Sequence, residues 1–162
     1  MRVIASSGDG ECRAWSWRVE NNSSFLARLA GIAEIPGMIL GVGIDLVEVA
    51  RIEASVQQSG EKFLQRILLP GEIAYCLAYK TPGPHLAARF AAKEAVAKAF
   101  GTGIGGALGW LDMEVVRQES GEPRLVLHGK GKKLFDERGA KNLVISLSHT
   151  DNYATALAIL ET

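Results

Sequence analysis

Leu86-Ala87-Ala88-Arg89-Phe90-Ala91-Ala92-Lys93-Glu94-Ala95-Val96-Ala97-Lys98-Ala99-Phe100, closed by Gly101, is the stretch on which the fold turns. Its alanine content predicts a helix over 86–100, with glycine standing where a left-handed C-terminal cap needs it. Apart from Arg89, Lys93, Glu94 and Lys98 every residue is apolar, and a helix apolar nearly all round is a buried one. At about 100° per residue, Arg89 and Lys93 form one stripe and Glu94 and Lys98 a second. Charges enter such a helix only with partners, so each stripe calls for counter-charges, a metal or a bound anion. A Glu94–Lys98 pair at i,i+4 spacing would satisfy two of the four and leave the basic stripe unaccounted for.

Upstream, Ile39 to Leu46 is a β-branched, glycine-punctuated run that reads as a strand. Period-two alternation puts Leu40, Val42, Ile44 and Leu46 on one face and Ile39, Gly41, Gly43 and Asp45 on the other. The acid therefore lies beside a bare surface that a ligand or another backbone can approach. A carboxylate there is costly unless it meets a cation, or unless Asp45 merely caps the helix that follows; the pattern leaves both open. Val49 to Gln58 reads as a helix closed by Gly60, and a second helical stretch covers about Lys62 to Tyr79. Lys80-Thr81-Pro82-Gly83-Pro84 reads as a loop that no helix can continue.

Downstream, 111–117 and 124–128 read as strands of a hairpin around Glu119-Ser120-Gly121-Glu122-Pro123. A short helix over 130–138 ends at Gly139, and two strands follow at 143–148 and 153–160. This order predicts an α+β sheet with helices on one face. Gly101-Thr102-Gly103-Ile104-Gly105-Gly106 formally contains GxGxxG, but it follows a helix and precedes a strand, the reverse of a dinucleotide fingerprint. Ile145-Ser146-Leu147-Ser148-His149-Thr150 is an alternating strand ending in three polar residues. It reads either as an anion-binding loop or as a turn-capping Ser/Thr pair with a surface histidine; adjacent Ser148 and His149 project to opposite sides and form no hydrolase triad. His85 and His128 have no nameable partner and read as structural.

The 162 residues carry 18 basic and 18 acidic side chains and are 48% hydrophobic, the profile of a one-domain globular protein with no field for nucleic acid. Trp110 and Tyr153 do not make the stacking pair of an RNA-binding sheet. Cys12 and Cys76 are too few and too far apart for a disulfide framework, and read as free thiols. No apolar run suits a membrane span and no secretory signal opens the chain, which predicts a cytoplasmic protein without a membrane partner. Residues 1–37 differ in character: loop-like around Ser6–Gly10 and Asn21–Ser24, with a short amphipathic helix only at Phe25–Ile35. They read as a poorly ordered N-terminal extension, or as a start assigned too early with Met38 the true one.

Three motifs in order carry a resemblance: Gly41-Val42-Gly43-Ile44-Asp45-Leu46-Val47-Glu48 with Arg51-Ile52, then Arg89 to Ala95 running through Lys98-Ala99-Phe100-Gly101-Thr102-Gly103-Ile104, then Ser146-Leu147-Ser148-His149-Thr150. Together they resemble the small bacterial holo-acyl-carrier-protein synthases, the AcpS-type 4'-phosphopantetheinyl transferases, from Met38 to the C-terminus. The resemblance implies a phosphopantetheinyl transferase domain over residues 38–162, ferredoxin-like, with an antiparallel sheet packed on a long central helix. It implies transfer of 4'-phosphopantetheine from coenzyme A to a serine of apo-acyl carrier protein in fatty acid biosynthesis, releasing adenosine 3',5'-bisphosphate.

By the same resemblance Asp45 and Glu94 are ligands of Mg²⁺, a hard ion suited to one or two carboxylates plus phosphate oxygens. Lys98 meets the diphosphate and, with Glu94 as base, is catalytic. Arg89 and His149 hold the nucleotide end with its 3'-phosphate, Ser148 and Thr150 extend that coenzyme A-binding loop, and Gly101 and Gly103 let the chain lie against the cofactor. Arg51 and Arg66, with Lys62, Phe63 and Ile67 nearby, form the basic, apolar-anchored surface for the acidic carrier, Lys62 and Arg66 equally readable as a solvated face. The family also implies a homotrimer with active sites between subunits. A catalytically silent binding module of the same fold remains the rival reading, one whose binding would survive loss of magnesium.

Overall fold

The computed structural model describes the backbone of residues 2–6 and 12–16 and all atoms of residues 38–162. Two short strands, β1 (Arg2–Ser6) and β2 (Cys12–Ser16), pair antiparallel from Arg2↔Ser16 to Ser6↔Cys12, a pairing the sequence pattern did not announce. The helix expected at Phe25–Ile35 lies outside the described residues. From Met38 the order is β3 (Ile39–Glu48), α1 (Val49–Ser59), α2 (Glu61–Ile67), α3 (Pro70–Leu77), α4 (Pro82–Phe100), β4 (Met113–Arg117), β5 (Pro123–Leu127), α5 (Gly129–Glu137), β6 (Asn142–His149) and β7 (Tyr153–Glu161). Among the described residues no helix is long and apolar enough to cross a membrane.

The main sheet is antiparallel in the order β3-β7-β6, with β4 and β5 forming a separate hairpin. Its inner face is mostly of small residues: Gly41, Gly43 and Asp45 of β3 pair with Leu160, Ala158 and Ala156 of β7, Leu160 being the one bulky side chain of the six. Helix α4 lies across this face, and α1 and α3 pack against α4. The glycines have a packing reason. A Cβ on Gly41 would stand 2.0 Å from the Ala99 carbonyl oxygen, and one on Gly43 would stand 1.9 Å from that of Ala95. The bare glycine surface thus receives a second backbone, and Ala91, Ala92, Ala95 and Ala99 are buried in that seam.

Two local expectations change. Pro82-Gly83-Pro84 is the first turn of α4 and no loop, because a proline at the helix start gives up an N–H that has no intrahelical partner there. The single helix expected over 62–79 is two, broken at Leu68 and Leu69, which are extended at ψ 145° and 158°. Pro70 accounts for the break, since it disfavours helical geometry in the residue before it. The C-terminal ends behave as read: Gly101 is left-handed at φ 70°, and Gly60 and Gly139 also take positive φ.

Gly43→Ala is expected to force α4 off the sheet at a cost of about 3 kcal/mol or more, lowering the thermal midpoint by about 6 °C or more in a melt followed by circular dichroism. Gly105→Ala, at a position where an added Cβ meets nothing within 4 Å, should leave the midpoint unchanged.

Candidate functional site

Because β3 and α4 are in backbone contact, the acid of one reaches the charges of the other. Lys98 Nζ lies 2.8 Å from Asp45 Oδ1 and donates also to the Ile44 carbonyl at 3.1 Å. Asp45 is only 7% exposed. It is not a helix cap, since α1 starts at Val49 behind Glu48, and its side-chain partner is Lys98. Glu94 is close enough for the Asp45 charge to act on it. Burial first, and Asp45 second, push the Glu94 carboxyl above its ordinary range, with Lys98 pulling the other way. Burial likewise raises Asp45, against the pull of Lys98 and, more weakly, of Arg51. Two carboxylates and one ammonium leave a net negative charge in a mostly buried place, an all-oxygen donor set that favours a hard divalent cation.

The basic stripe of α4 divides between two roles. Lys93 is wholly buried and donates to Glu72 Oε2 at 2.7 Å, the Ile67 carbonyl at 2.8 Å and the Trp110 carbonyl at 3.1 Å. Glu72 in turn accepts from the backbone N–H groups of Leu69 and Val115, at 2.8 and 3.0 Å. Burial lowers the Lys93 pKa while Glu72 opposes that shift. Every member of this network is bonded, and it ties α3, α4 and β4 together as a structural element.

Arg89 instead stacks on the ring of Tyr75, its Cζ 3.9 Å from the centroid, and its buried Nε has no hydrogen-bond partner. It lines a cavity of about 290 Å³ shared with Tyr79, His85, Arg117 and His149. His85 stacks on Tyr79 at 3.7 Å and meets the edge of the His149 ring at 4.9 Å. Sequence reasoning missed Tyr75, Tyr79, His85 and Arg117, because only the tertiary fold gathers α3, the start of α4 and the β4–β5 hairpin around one space. His128 is the structural histidine expected, 2.8 Å from Glu114.

The polar end of β6 is split. His149 faces the cavity, while Ser148 pairs with Thr155 and is exposed beside a neighbour on the opposite side of the strand. The Thr150 hydroxyl accepts from the N–H groups of Asn152 and Tyr153, as a turn cap does. Gly101 and Gly103, at φ 70° and 63°, form the turn that ends α4 just beyond Lys98. Arg51 is exposed on α1, and Arg66 lines an open cleft with Lys62 and Phe63 between α1 and α2.

A family model described as the 4'-phosphopantetheinyl transferase superfamily matches residues 41–158, the span that builds both charged clusters. The chain belongs to that superfamily. Among curated relatives, a holo-(acyl-carrier-protein) synthase of Koribacter versatilis is 49% identical over 124 residues, covering 76% of this chain and 99% of that one. Another, of Moorella thermoacetica, is 46% identical over 123 residues, covering 76% and 94%. The crystal structure of the synthase of Neisseria meningitidis superposes with a TM-score of 0.73 at 34% identity, over 77% of this chain and all of that one. The synthase of Helicobacter pylori in complex with coenzyme A gives 0.66 at 35%, over 74% and 98%. The chain has the α+β architecture expected of it, an antiparallel sheet on a long helix.

The raised carboxyls make a pH-dependent prediction. A carboxyl with a raised native pKa favours the fold while protonated, and that contribution is lost as pH rises through the raised value. In metal-free buffer at pH 8, Glu94→Gln is expected to melt several degrees above the parent chain. Near pH 4, below the ordinary Glu94 value of 4.5, the two melts should converge.

Proposed function

We propose that the chain is a holo-acyl-carrier-protein synthase, which moves 4'-phosphopantetheine from coenzyme A to a serine of apo-acyl carrier protein. The observation that carries this is the meeting of Asp45 and Glu94, 49 residues apart in sequence, around Lys98. Asp45 and Glu94 would hold Mg²⁺, which when bound supplies positive charge to the oxygens of the diphosphate. Lys98 fixes the Asp45 carboxylate through its 2.8 Å contact and adds its own charge on the diphosphate side. Glu94, whose proton affinity is raised, accepts the proton of the carrier serine. The serine oxygen bonds to the phosphorus bearing pantetheine, the bond from that phosphorus to the bridging oxygen breaks, and adenosine 3',5'-bisphosphate leaves. Arg89 and His149 hold the nucleotide end. The exposed Arg51, near enough to act on Asp45, and the Lys62-Phe63-Arg66 cleft present charge and an apolar anchor to an acidic carrier beside the site. The compartment this reading implies, on the grounds of sequence, is the cytoplasm.

Purified chain incubated with apo-acyl carrier protein, coenzyme A and Mg²⁺ should add one phosphopantetheine mass to the carrier. Asp45→Ala and Glu94→Ala should each slow that addition by about 10³-fold or more, the equivalent of several kcal/mol of lost charge stabilisation, while remaining folded. Normal transfer by both variants would refute the metal assignment, and binding of coenzyme A with no adduct under any condition would favour a silent binding module.

The assembly we propose is a homotrimer, with sites completed between copies. Two observations support association. The outer face of the sheet is apolar and open, with Ile44 56%, Leu46 65%, Val144 47% and Leu157 36% exposed, an unusual face for a lone monomer. Arg89 also sits about 140° round α4 from Glu94, so the two charged clusters face different sides of one subunit. Leu46→Glu combined with Leu157→Glu is expected to yield monomers in analytical ultracentrifugation, where the parent chain sediments at three times the mass.

A further inference from the structure

We propose that Thr155 is a positioning residue of the metal site, its hydroxyl holding the main chain of Asp45 and through it the direction of the carboxylate. This rests on the reading of Asp45 and Glu94 as the Mg²⁺ ligands. Thr155 stands on β7 directly opposite Leu46, the residue after Asp45. Its Oγ1 donates to the Asp45 carbonyl at 2.8 Å. Lys98 works from the other side: its Nζ, coming from α4, donates to Asp45 Oδ1 at 2.8 Å and to the Ile44 carbonyl at 3.1 Å. Successive side chains of a strand leave opposite faces, so Thr155, between the buried Ala154 and Ala156, projects outward while α4 covers the inner face. Asp45 is thereby gripped across the thickness of the sheet, at its carboxyl by an ammonium and at its carbonyl by a hydroxyl.

The choice of residue is informative. From Ala154 to Leu160, β7 reads Ala-Thr-Ala-Leu-Ala-Ile-Leu, and Thr155 is its one side chain with a hydrogen-bonding group. Valine has the same branched shape and suits a strand equally, so strand formation alone does not call for the hydroxyl. Ser148 stands opposite Thr155 on β6 with a hydroxyl of its own, yet the Thr155 proton goes to β3. Position matters too. Strand β3 ends at Glu48 and the chain turns directly into α1, so a tether on the main chain of Asp45 acts near a strand end, where ladder pairing restrains the backbone least. Carboxylates that hold a metal keep their direction through bonds of this kind to the residues around them, and loss of one such bond typically weakens metal binding about 10- to 100-fold.

The test follows a hard divalent cation directly. Mn²⁺ binding to the full chain, without coenzyme A or carrier, is read from the loss of the free-ion signal in electron paramagnetic resonance, for the parent, Thr155→Val and Thr155→Ser. Thr155→Val is expected to weaken Mn²⁺ binding about tenfold, with Thr155→Ser within about threefold of the parent. In transfer assays the valine variant should need about tenfold more Mg²⁺ for half-maximal rate, with KM for coenzyme A at saturating Mg²⁺ within about twofold. Equal Mn²⁺ affinity in the parent and Thr155→Val, or a serine variant as weak as the valine one, would overturn the role of Thr155 and leave the metal reading standing. A valine variant whose thermal midpoint falls by about 8 °C or more would do the same, since the hydroxyl would then hold the fold and not the site. A parent chain that binds no Mn²⁺ and transfers at a rate indifferent to Mg²⁺ would sink the metal reading, and the positioning role with it.

Discussion

Direct backbone contact between strand β3 and helix α4 is the constraint on which everything else in this protein depends. Gly41 and Gly43 bring the Ala95 and Ala99 carbonyls to a separation that any Cβ would close off. The facing strand β7 contributes Ala154, Ala156 and Ala158, all buried, so beside Gly43 no large side chain of β7 parts the two layers. Helices normally pack on sheets through interdigitated side chains, and burial here is achieved with very short ones. What the close approach gives in exchange is reach. Asp45, two residues beyond Gly43 on the same face, lies against the flank of α4 where Glu94 and Lys98 emerge.

The charges of α4 then separate into those that hold the fold and those that remain available. Lys93 meets a carboxylate and two carbonyls, and its partner Glu72 meets two backbone donors, so the cost of burying both ions is offset by complete bonding. Glu94 and Asp45 are different. One ammonium serves two carboxyls, and burial, which that single charge does not offset, raises the proton affinity of both. Arg89 carries the opposite imbalance, a cation on a ring face and beside the Cys76 thiol, with no carboxylate among its ion pairs. An excess of negative charge on one flank of the helix and of positive charge on another leaves two places of opposite sign, the first suited to a hard cation and the second to an anion. It also accounts for a helix that is uneconomical as pure core. Cys76, buried between these layers with its thiol pushed up to about 11, is inert packing.

The sheet divides its faces by the same logic. The small inner residues accept α4, and the larger ones, Ile44, Leu46, Val144 and Leu157, point outward and are exposed. A single subunit thus shows its greasier surface to water. In a strand whose alternation is Gly-Val-Gly-Ile-Asp-Leu, the usual assumption that bulky residues mark the core leads to the wrong side, and the glycines mark it instead.

The amino-acid order by itself determined the central helix and its left-handed stop, the strand carrying Asp45, the two final strands, and the need of Arg89, Lys93, Glu94 and Lys98 for partners. All of these follow from periodicity and local propensity, which act over a few residues. Pro70 and Pro82 were legible too, had the first been taken as a break and the second as a helix start. Which partner each charge takes was decided only by tertiary structure. Asp45 and Lys98 are 53 residues apart and Lys93 and Glu72 are 21 apart, and no local pattern distinguishes Lys93 as an anchor from Arg89 as the wall of a cavity. The cavity built from Tyr75, Tyr79, His85 and Arg117 had no sequence signal, because its members come from separate elements whose convergence depends on how closely the helix and the sheet approach.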